Sequence, residues 1–250
     1  MQLSLKIFVL IAAISFFSSC KKEVDEPELV YKMAITTVEN PDSIANFYLR
    51  LDNSQKMWVS STIFPNYKPI SGQRIIAYFN IISESKSDSL YDYSIKLNDV
   101  YPVLTKEILN IKTTQQDSIG NDSIQIDDMW VGSDFLNVQF TYLANDQLHL
   151  INLVKDTAKV YTDGKVHLEF RHNSNFDLPA FYKSGIVSFN IKSLQNNIPA
   201  NDSLKLVIHV NVPNLAADKT YDLTYQFSKS VTLSKLPILK SIGRPSHSFE

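Results

Sequence analysis

Four residues that can bind ligands, titrate or form ion pairs stand close together in the second half of the chain. Arg171, His172 and Asn173 are consecutive, and Asp177 follows shortly after them. As a binding site, Arg171 and Asp177 would anchor a polar ligand, and His172 would titrate near neutral pH. As a structural corner, Asn173 and Asp177 would cap backbone groups in a turn, and Arg171 would pair with Asp177 across it. We predict the structural corner, although loop ends of β domains often carry binding sites.

No motif in the chain indicates catalysis or metal binding. The five histidines lie on separate segments without the local spacing of a zinc site: His149, His167, His172, His209 and His247. Phosphate-binding and nucleophile-elbow glycine patterns are also missing, and the chain has only six glycines. The pattern therefore predicts a protein without catalytic activity, cofactor or metal.

Aromatic residues of the first half could form a stacking surface for a glycan or another small ligand. They could equally fill the core of a β domain. These residues are Trp58, Tyr67, Tyr78, Tyr91, Tyr93, Tyr101 and, just beyond, Trp130. A row of solvent-facing rings would favour the ligand site, so their exposure decides between the two interpretations.

The N-terminus has the layout of a secretory signal. Lys6 precedes the apolar run 7–17, and two serines separate that run from Cys20, the only cysteine. The apolar run is too short to span a bilayer core, which takes about 20 helical residues. The segment 17–20 resembles the lipobox of Bacteroidetes lipoproteins. That resemblance implies that residues 1–19 are removed and that Cys20 is acylated, anchoring the protein through a tether over residues 20–30.

The balance of charge argues against nucleic acid as a partner. The formal net charge is −2, and neither half of the chain collects the clustered positive charge that displaces counterions from phosphates. There is likewise no polybasic segment for a membrane surface. The acyl chains on Cys20 are therefore the expected link to the membrane.

The elements that position these residues are predicted to be strands, because hydrophobicity alternates with period two almost throughout. We predict an all-β protein of two domains. The first is a small OB-like five-stranded barrel over residues 31–115, in which residues 103–109 form either a helical turn or a further strand. The second is a β-sandwich of six to seven strands over residues 116–245, after a polar linker at 113–122. Residues 246–250 form a disordered tail.

In the predicted strand that leads to the corner, Val166, Leu168 and Phe170 alternate with Glu169 and Arg171. Side chains of a strand point alternately to opposite faces. The apolar set is therefore expected to face the sandwich core, and Arg171 the outer face.

Several segments together resemble the NigD-like lipoproteins of Bacteroidetes. The segments that carry the resemblance are Gly72-Gln73-Arg74, Met129-Trp130-Val131-Gly132, His149 to Val154, and Leu168 to Asn173 with Asp177 beyond. The resemblance implies an N-terminal OB-type barrel, a C-terminal β-sandwich and an outer-membrane location, facing either the periplasm or the cell surface. It implies no activity, and a small residue such as glycine is expected where Phe176 stands.

Three functions remain as hypotheses. The first is a non-enzymatic envelope lipoprotein that binds a protein partner or another envelope component through loops or a strand edge. The second is a lipoprotein that binds a glycan or small ligand on an aromatic barrel face. The third, an immunity role against a bacteriocin, follows only from the family name.

Overall fold

The computed structural model describes residues 31–43, 46–64, 67–85, 89–115, 119–196 and 203–227. The predicted signal (1–19), Cys20, the tether (20–30) and the tail (246–250) lie outside the described residues. Within the described ranges the chain forms strands and two short 3₁₀ turns, Thr113–Gln115 and Lys192–Gln195. The prediction of an all-β protein is confirmed.

The first domain is a closed barrel of five strands in the order β1-β2-β3-β5-β4. The strands are β1 (Lys32–Ser43), β2 (Asn46–Leu51), β3 (Lys56–Thr62), β4 (Arg74–Glu84) and β5 (Tyr93–Pro102). All neighbours are antiparallel except β3 and β5. Alternate residues such as Leu49, Met57 and Phe79 fill the interior, which is why the period-two pattern predicted this domain correctly.

The second domain is a sandwich of a five-stranded and a four-stranded sheet. Its strands are β6 (Leu104–Glu107), β7 (Leu109–Ile111), β8 (Gln125–Gly132), β9 (Phe135–Ala144), β10 (Leu150–Asp156), β11 (Val166–Asn173), β12 (Phe181–Asn190), β13 (Ser203–Val210) and β14 (Lys219–Gln226). The sheets have the orders β14-β13-β11-β10-β7 and β6-β12-β9-β8. Leu168 and Phe170 face the core between the sheets, so the predicted register of this strand is confirmed.

The change from barrel to sandwich comes before the predicted linker. Residues 103–109, left open as helical turn or strand, contain β6 and the start of β7. β6 pairs in parallel with β12, and β7 pairs in parallel with β10. The predicted barrel limit at residue 115 therefore places two strands of the sandwich in the first domain. The polar segment 113–122 does separate two strands, but both strands, β7 before it and β8 after it, belong to the sandwich.

A third apolar cluster joins the two domains. It contains Met33, Ile35 and Ile76 from the barrel and Ile186 from the sandwich, with Trp130 packed against it. Beside the cluster, a fully buried Arg74 connects Asp52 of the barrel to Asn137 of the sandwich. The described residues from Tyr31 onward accordingly form one compact unit.

Within the described ranges, no helix has the length and apolar character that a bilayer crossing requires.

Candidate functional site

A cavity of about 530 Å³ opens at one end of the sandwich. We call it the sandwich-end cavity. It lies where β9 and β11 end and where β8 and β12 begin, so side chains from both sheets reach it. The lining residues used below are Asp122, Thr141, His172, Ser174, Asp177 and Tyr182. Three of the four predicted corner residues lie in or beside this cavity, and the fourth, Arg171, does not.

The loop between β11 and β12, residues 174–180, forms one wall of the cavity, and we call it the tip loop. Asn175 and Phe176 both have positive φ angles, +53° and +60°. This left-handed region is costly for residues with a Cβ, especially bulky ones, and glycine occupies it most easily. The expectation of a glycine at position 176 therefore had a physical basis, and Phe176 occupies the conformation at a cost.

Hydrogen bonds hold the tip loop in this conformation. The Ser174 amide and hydroxyl both donate to Asp122 Oδ2, at 2.7 and 2.6 Å. The Asn175 amide donates to Asn173 Oδ1 at 2.8 Å, and the Asp177 amide donates to the Ser174 carbonyl at 3.0 Å. A strained backbone persists only where its surroundings determine it in this way.

Asp177 binds the far side of the tip loop to the loop that connects β9 and β10. Its carboxylate accepts hydrogen bonds from the backbone amides of Asn145 and Asp146 and from His149 Nε2, the last at 3.1 Å. Its side chain is only 1% exposed. Asn173 and Asp177 therefore both cap backbone amides, as a structural corner requires.

His149 and His172 continue this chain of contacts inward. His149 Nδ1 lies 2.8 Å from His172 Nε2, and His172 Nδ1 lies 3.3 Å from the carbonyl oxygen of Ser123. The carboxylate of Asp177 and the carbonyl can only accept, so the three contacts need three ring protons. Two neutral imidazoles carry two. All three contacts are hydrogen bonds when the histidine pair carries one positive charge opposite Asp177.

The surroundings shift the pKa values of three of these groups. Burial, together with the charge of His149, lowers the pKa of His172 to about 4, below the near-neutral range that the binding-site interpretation required. Burial alone would raise the pKa of Asp177, but the amides and His149 outweigh it and hold the pKa at about 2. Burial would also raise the pKa of Asp122. The hydrogen bonds from Ser174 and the charges of His172 and His149 outweigh burial and lower this pKa.

The predicted ion pair between Arg171 and Asp177 is wrong. Arg171 pairs with Glu169, and its Nε donates to Glu169 Oε2 at 2.7 Å. Glu169 also binds Lys159. Positions 169 and 171 share the outer face of β11, as the alternation predicted, whereas Asp177 joins the histidines on the inner side. Arg171 is nevertheless only 7% exposed.

Four exposed apolar side chains belong to residues 176–182, and each either lines the cavity or is next in sequence to a lining residue. Phe176 is 99% exposed, Tyr182 78%, Leu178 73% and Phe181 69%. Tyr182 is also paired with Leu143 of β9, another exposed residue that lines the cavity. Clusters of exposed apolar residues beside a cavity are typical of interaction sites. Sequence reasoning missed this surface, although the apolar residues of 176–182 inside a predicted turn were a signal.

The other two described histidines are also paired. His167 Nδ1 lies 2.8 Å from His209 Nε2 on the neighbouring parallel strand, and His167 Nε2 lies 3.0 Å from Asp163. Tyr161 stacks on His167 with ring centroids 3.6 Å apart. The histidines that are scattered in sequence thus form two Asp-His-His chains. Nothing in their spacing showed this, because strand pairing brings them together.

Neither chain has the geometry of a metal centre. Nitrogen atoms bound to one tetrahedral zinc ion at about 2.0–2.1 Å lie farther apart than the 2.8 Å that separates each histidine pair. Among the described residues, no group of three or more His, Cys, Asp or Glu side chains could hold a metal ion.

The seven aromatic residues proposed for a barrel-face ligand site are all partly buried. Trp58 packs on Tyr91 with ring centroids 5.4 Å apart, and Tyr78 packs on Tyr101 at 5.7 Å. No row of solvent-facing rings therefore forms among these seven residues. The most exposed rings of the described chain lie instead in residues 176–182, in or next in sequence to the lining of the sandwich-end cavity.

Comparison with known proteins gives two family matches. Residues 35–103 match the NigD-like N-terminal OB domain, and residues 107–225 match the NigD-like C-terminal beta sandwich domain. Both matches agree with a change of domain between β5 and β7. None of the curated proteins matches the chain.

Three solved structures are similar over most of their length. A protein of unknown function from Bacteroides vulgatus is 32% identical, with a TM-score of 0.70, over 84% of this chain and 96% of that one. A toxin-related protein from Parabacteroides distasonis is 30% identical, with a TM-score of 0.67, over 78% and 93%. A NigD-like immunity protein from Bacteroides caccae has a TM-score of 0.58 over 76% and 91%, and its 16% identity supports the fold alone.

Proposed function

The chain belongs to the NigD-like family, and from that premise we propose that it is a lipid-anchored envelope protein whose sandwich-end cavity binds a protein partner. The observation that carries the proposal is a set of exposed apolar side chains in or next in sequence to the cavity lining: Phe176, Leu178, Phe181 and Tyr182. Hydrogen bonds fix the loop that presents the first two. A fixed apolar surface loses little conformational entropy on binding, so more of the contact energy contributes to affinity.

The proposal is for a binding protein and not an enzyme. Two groups in the cavity that could act as acid or base, Asp177 and His172, are already engaged, because Asp177 accepts three hydrogen bonds and His172 makes two polar contacts. The pKa values of about 2 and about 4 also keep both from exchanging protons at neutral pH. We include in the proposal that the protein has no nucleic-acid partner and faces the periplasm or the cell surface.

Cys20 supports the location. Its place two serines after the apolar run 7–17 fits acylation, and we propose the outer membrane as the membrane that holds it. Cys20→Ala removes the site of the acyl chains, so the variant is expected in the soluble fraction of cells, while the wild type remains with the membranes. Cys20→Ala found in membranes as fully as the wild type would exclude this anchor.

The binding site is tested by photo-crosslinking in cells that express the full chain. The photoreactive residue p-benzoylphenylalanine replaces Phe176 in one variant and Val160 in the other. Val160 is the matched control because it is 86% exposed and lies outside the cavity lining. We expect one discrete envelope adduct from position 176 and none from position 160. No adduct from position 176, or the same adducts from both positions, would contradict the proposal.

A further inference from the structure

The proposed site has a charge as well as an apolar surface. Asp122 and Asp177 line the cavity, and their lowered pKa values keep both ionised at neutral pH. None of the described lysines and arginines lines it. A cavity with charged carboxylates and no basic lining residue repels anions and attracts cations.

The carboxylates beside the cavity extend this negative charge. Asp127 binds Thr141 and Gln125, two lining residues, at 2.6 and 3.1 Å. Asp146 is linked to Asp177 through its backbone amide. Against these stands Lys183, whose Nζ donates to the Asn145 carbonyl at 2.9 Å. Among the described residues, carboxylates therefore outnumber basic side chains around the cavity.

The two carboxylates of the lining are not equally available. Asp177 uses its oxygens for backbone amides and His149, and its side chain is 1% exposed. Asp122 is exposed and makes its side-chain hydrogen bonds to Ser174 through Oδ2. Asp122 is thus the carboxylate that an incoming cation can reach, and the ring of Tyr182 lines the same cavity for a cation–π contact.

We infer that the partner presents a basic polypeptide segment, in which a lysine or arginine side chain enters the cavity toward Asp122 and adjacent apolar side chains pack on Phe176 and Leu178. This inference rests on the proposed function and names the chemistry of its partner. An anionic membrane surface is the other occupant that exposed apolar loops could suit, but the negative charge of the site opposes it.

The test uses the purified full chain and two short labelled peptides, measured by fluorescence anisotropy at low and high salt. The basic peptide alternates leucine or phenylalanine with lysine or arginine, and the matched acidic peptide carries glutamate at each basic position. We expect the basic peptide to bind at least about tenfold more tightly than the acidic one. Asp122→Asn is expected to weaken it severalfold and to reduce its salt dependence.

The apolar contribution is tested with Phe176→Ser and Phe176→Gly, which are expected to weaken binding of the basic peptide about tenfold. Phe176→Gly keeps the loop conformation accessible if the serine variant folds poorly. Val160→Ser, which replaces another highly exposed apolar residue outside the cavity lining, should bind as the wild type does.

Three results would overturn the inference: equal binding of both peptides, binding unchanged by Asp122→Asn, or binding unchanged by both Phe176 variants. Sedimentation with phosphatidylglycerol vesicles gives the remaining outcome. Association with the vesicles that is lost in Phe176→Gly would make the site a membrane contact instead. A discrete crosslink from position 176 that the basic peptide does not reduce would refute the partner chemistry alone and leave the proposed function standing.

Discussion

Phe176 combines two features that each cost free energy. Its backbone lies at φ +60°, and its ring is 99% exposed to water. A residue that only closed the turn between β11 and β12 would be glycine, which adopts this conformation freely. The surrounding hydrogen bonds hold the strained residue and its exposed ring in place. A strained backbone and an exposed ring at one residue are expected where the ring contacts a binding partner.

We predict that Phe176→Gly unfolds at a higher denaturant concentration than Phe176→Ala. Both variants remove the ring, but only glycine relieves the left-handed conformation, so its free energy of unfolding should be about 1 kcal/mol higher. Urea denaturation followed by tryptophan fluorescence measures the difference. Equal midpoints would show that the backbone at this position is unstrained.

His172 should make stability depend on pH below neutrality. Its pKa is about 4 in the folded protein and near 6.5 in the unfolded chain. Between these values the unfolded chain binds more protons, so the free energy of unfolding falls as pH decreases from 6.5 to 4, by at most about 3 kcal/mol. Calorimetry at several pH values should show this fall in the wild type and a smaller fall in His172→Gln.

The comparison needs a variant of similar stability that keeps His172. Val187→Ala is suitable, because Val187 is buried in the same domain and carries no titrating group. Its stability should fall with pH as steeply as that of the wild type. An equally steep fall in His172→Gln would assign the pH dependence to other groups.

At the level of elements, the sequence pattern identified most strands correctly but did not show which strands pair in a sheet. The alternation around Leu168 and Phe170 identified β11 and the face it buries, because a half-buried strand shows its register in the pattern itself. The segment of β6 and β7 was left open between a helical turn and a strand, because four and three residues are too few to show a period. Their parallel pairing with strands far along the chain leaves no local signal either.

The same limit explains what could be predicted of the site. The loop after β11 was identified as the place to look, and Asn173 and Asp177 were given backbone-capping roles that the structure also shows. The partner of Asp177 was missed, because His149 reaches it through the hairpin of β10 and β11. The contact between His149 and Asp177 can be predicted only when the pairing of Ile151 with His172 is known.

The placement of β6 and β7 predicts how a cleaved chain behaves. A specific protease site introduced between Gln115 and Ile119 should give two pieces that remain together in gel filtration. The N-terminal piece keeps β6 and β7, whose backbones are hydrogen-bonded into both sheets of the sandwich. The pieces should separate only in denaturant. Separate barrel and sandwich peaks without denaturant would contradict this arrangement.

At the scale of the whole molecule, barrel and sandwich share buried charge as well as apolar contacts. The Arg74 side chain is fully buried, and its guanidinium donates to Asp52 Oδ2 at 3.1 Å, to Thr37 at 3.2 Å and to Asn137 at 2.9 Å. It also lies 4.3 Å from the centroid of the Phe135 ring. Gly132 allows the close approach of the two domains, because a Cβ there would collide with the Asp52 side chain. Asp52 and Arg74 therefore hold the sandwich against the barrel.

We predict that Arg74→Ala lowers the free energy of unfolding by about 3–5 kcal/mol, because it leaves the Asp52 carboxylate buried without its positive partner. The double variant Asp52→Ala with Arg74→Ala should lose less than the two single losses combined, since it leaves no unpaired charge. Calorimetry should show one transition for the wild type, because the two domains share a packed interface. In Arg74→Ala the transition should broaden or split as the barrel and sandwich uncouple. A loss below about 1 kcal/mol, the range of exposed ion pairs, would mean that Arg74 does not couple the domains. A wild type that already melts in two transitions would contradict the single cooperative unit from which this prediction follows.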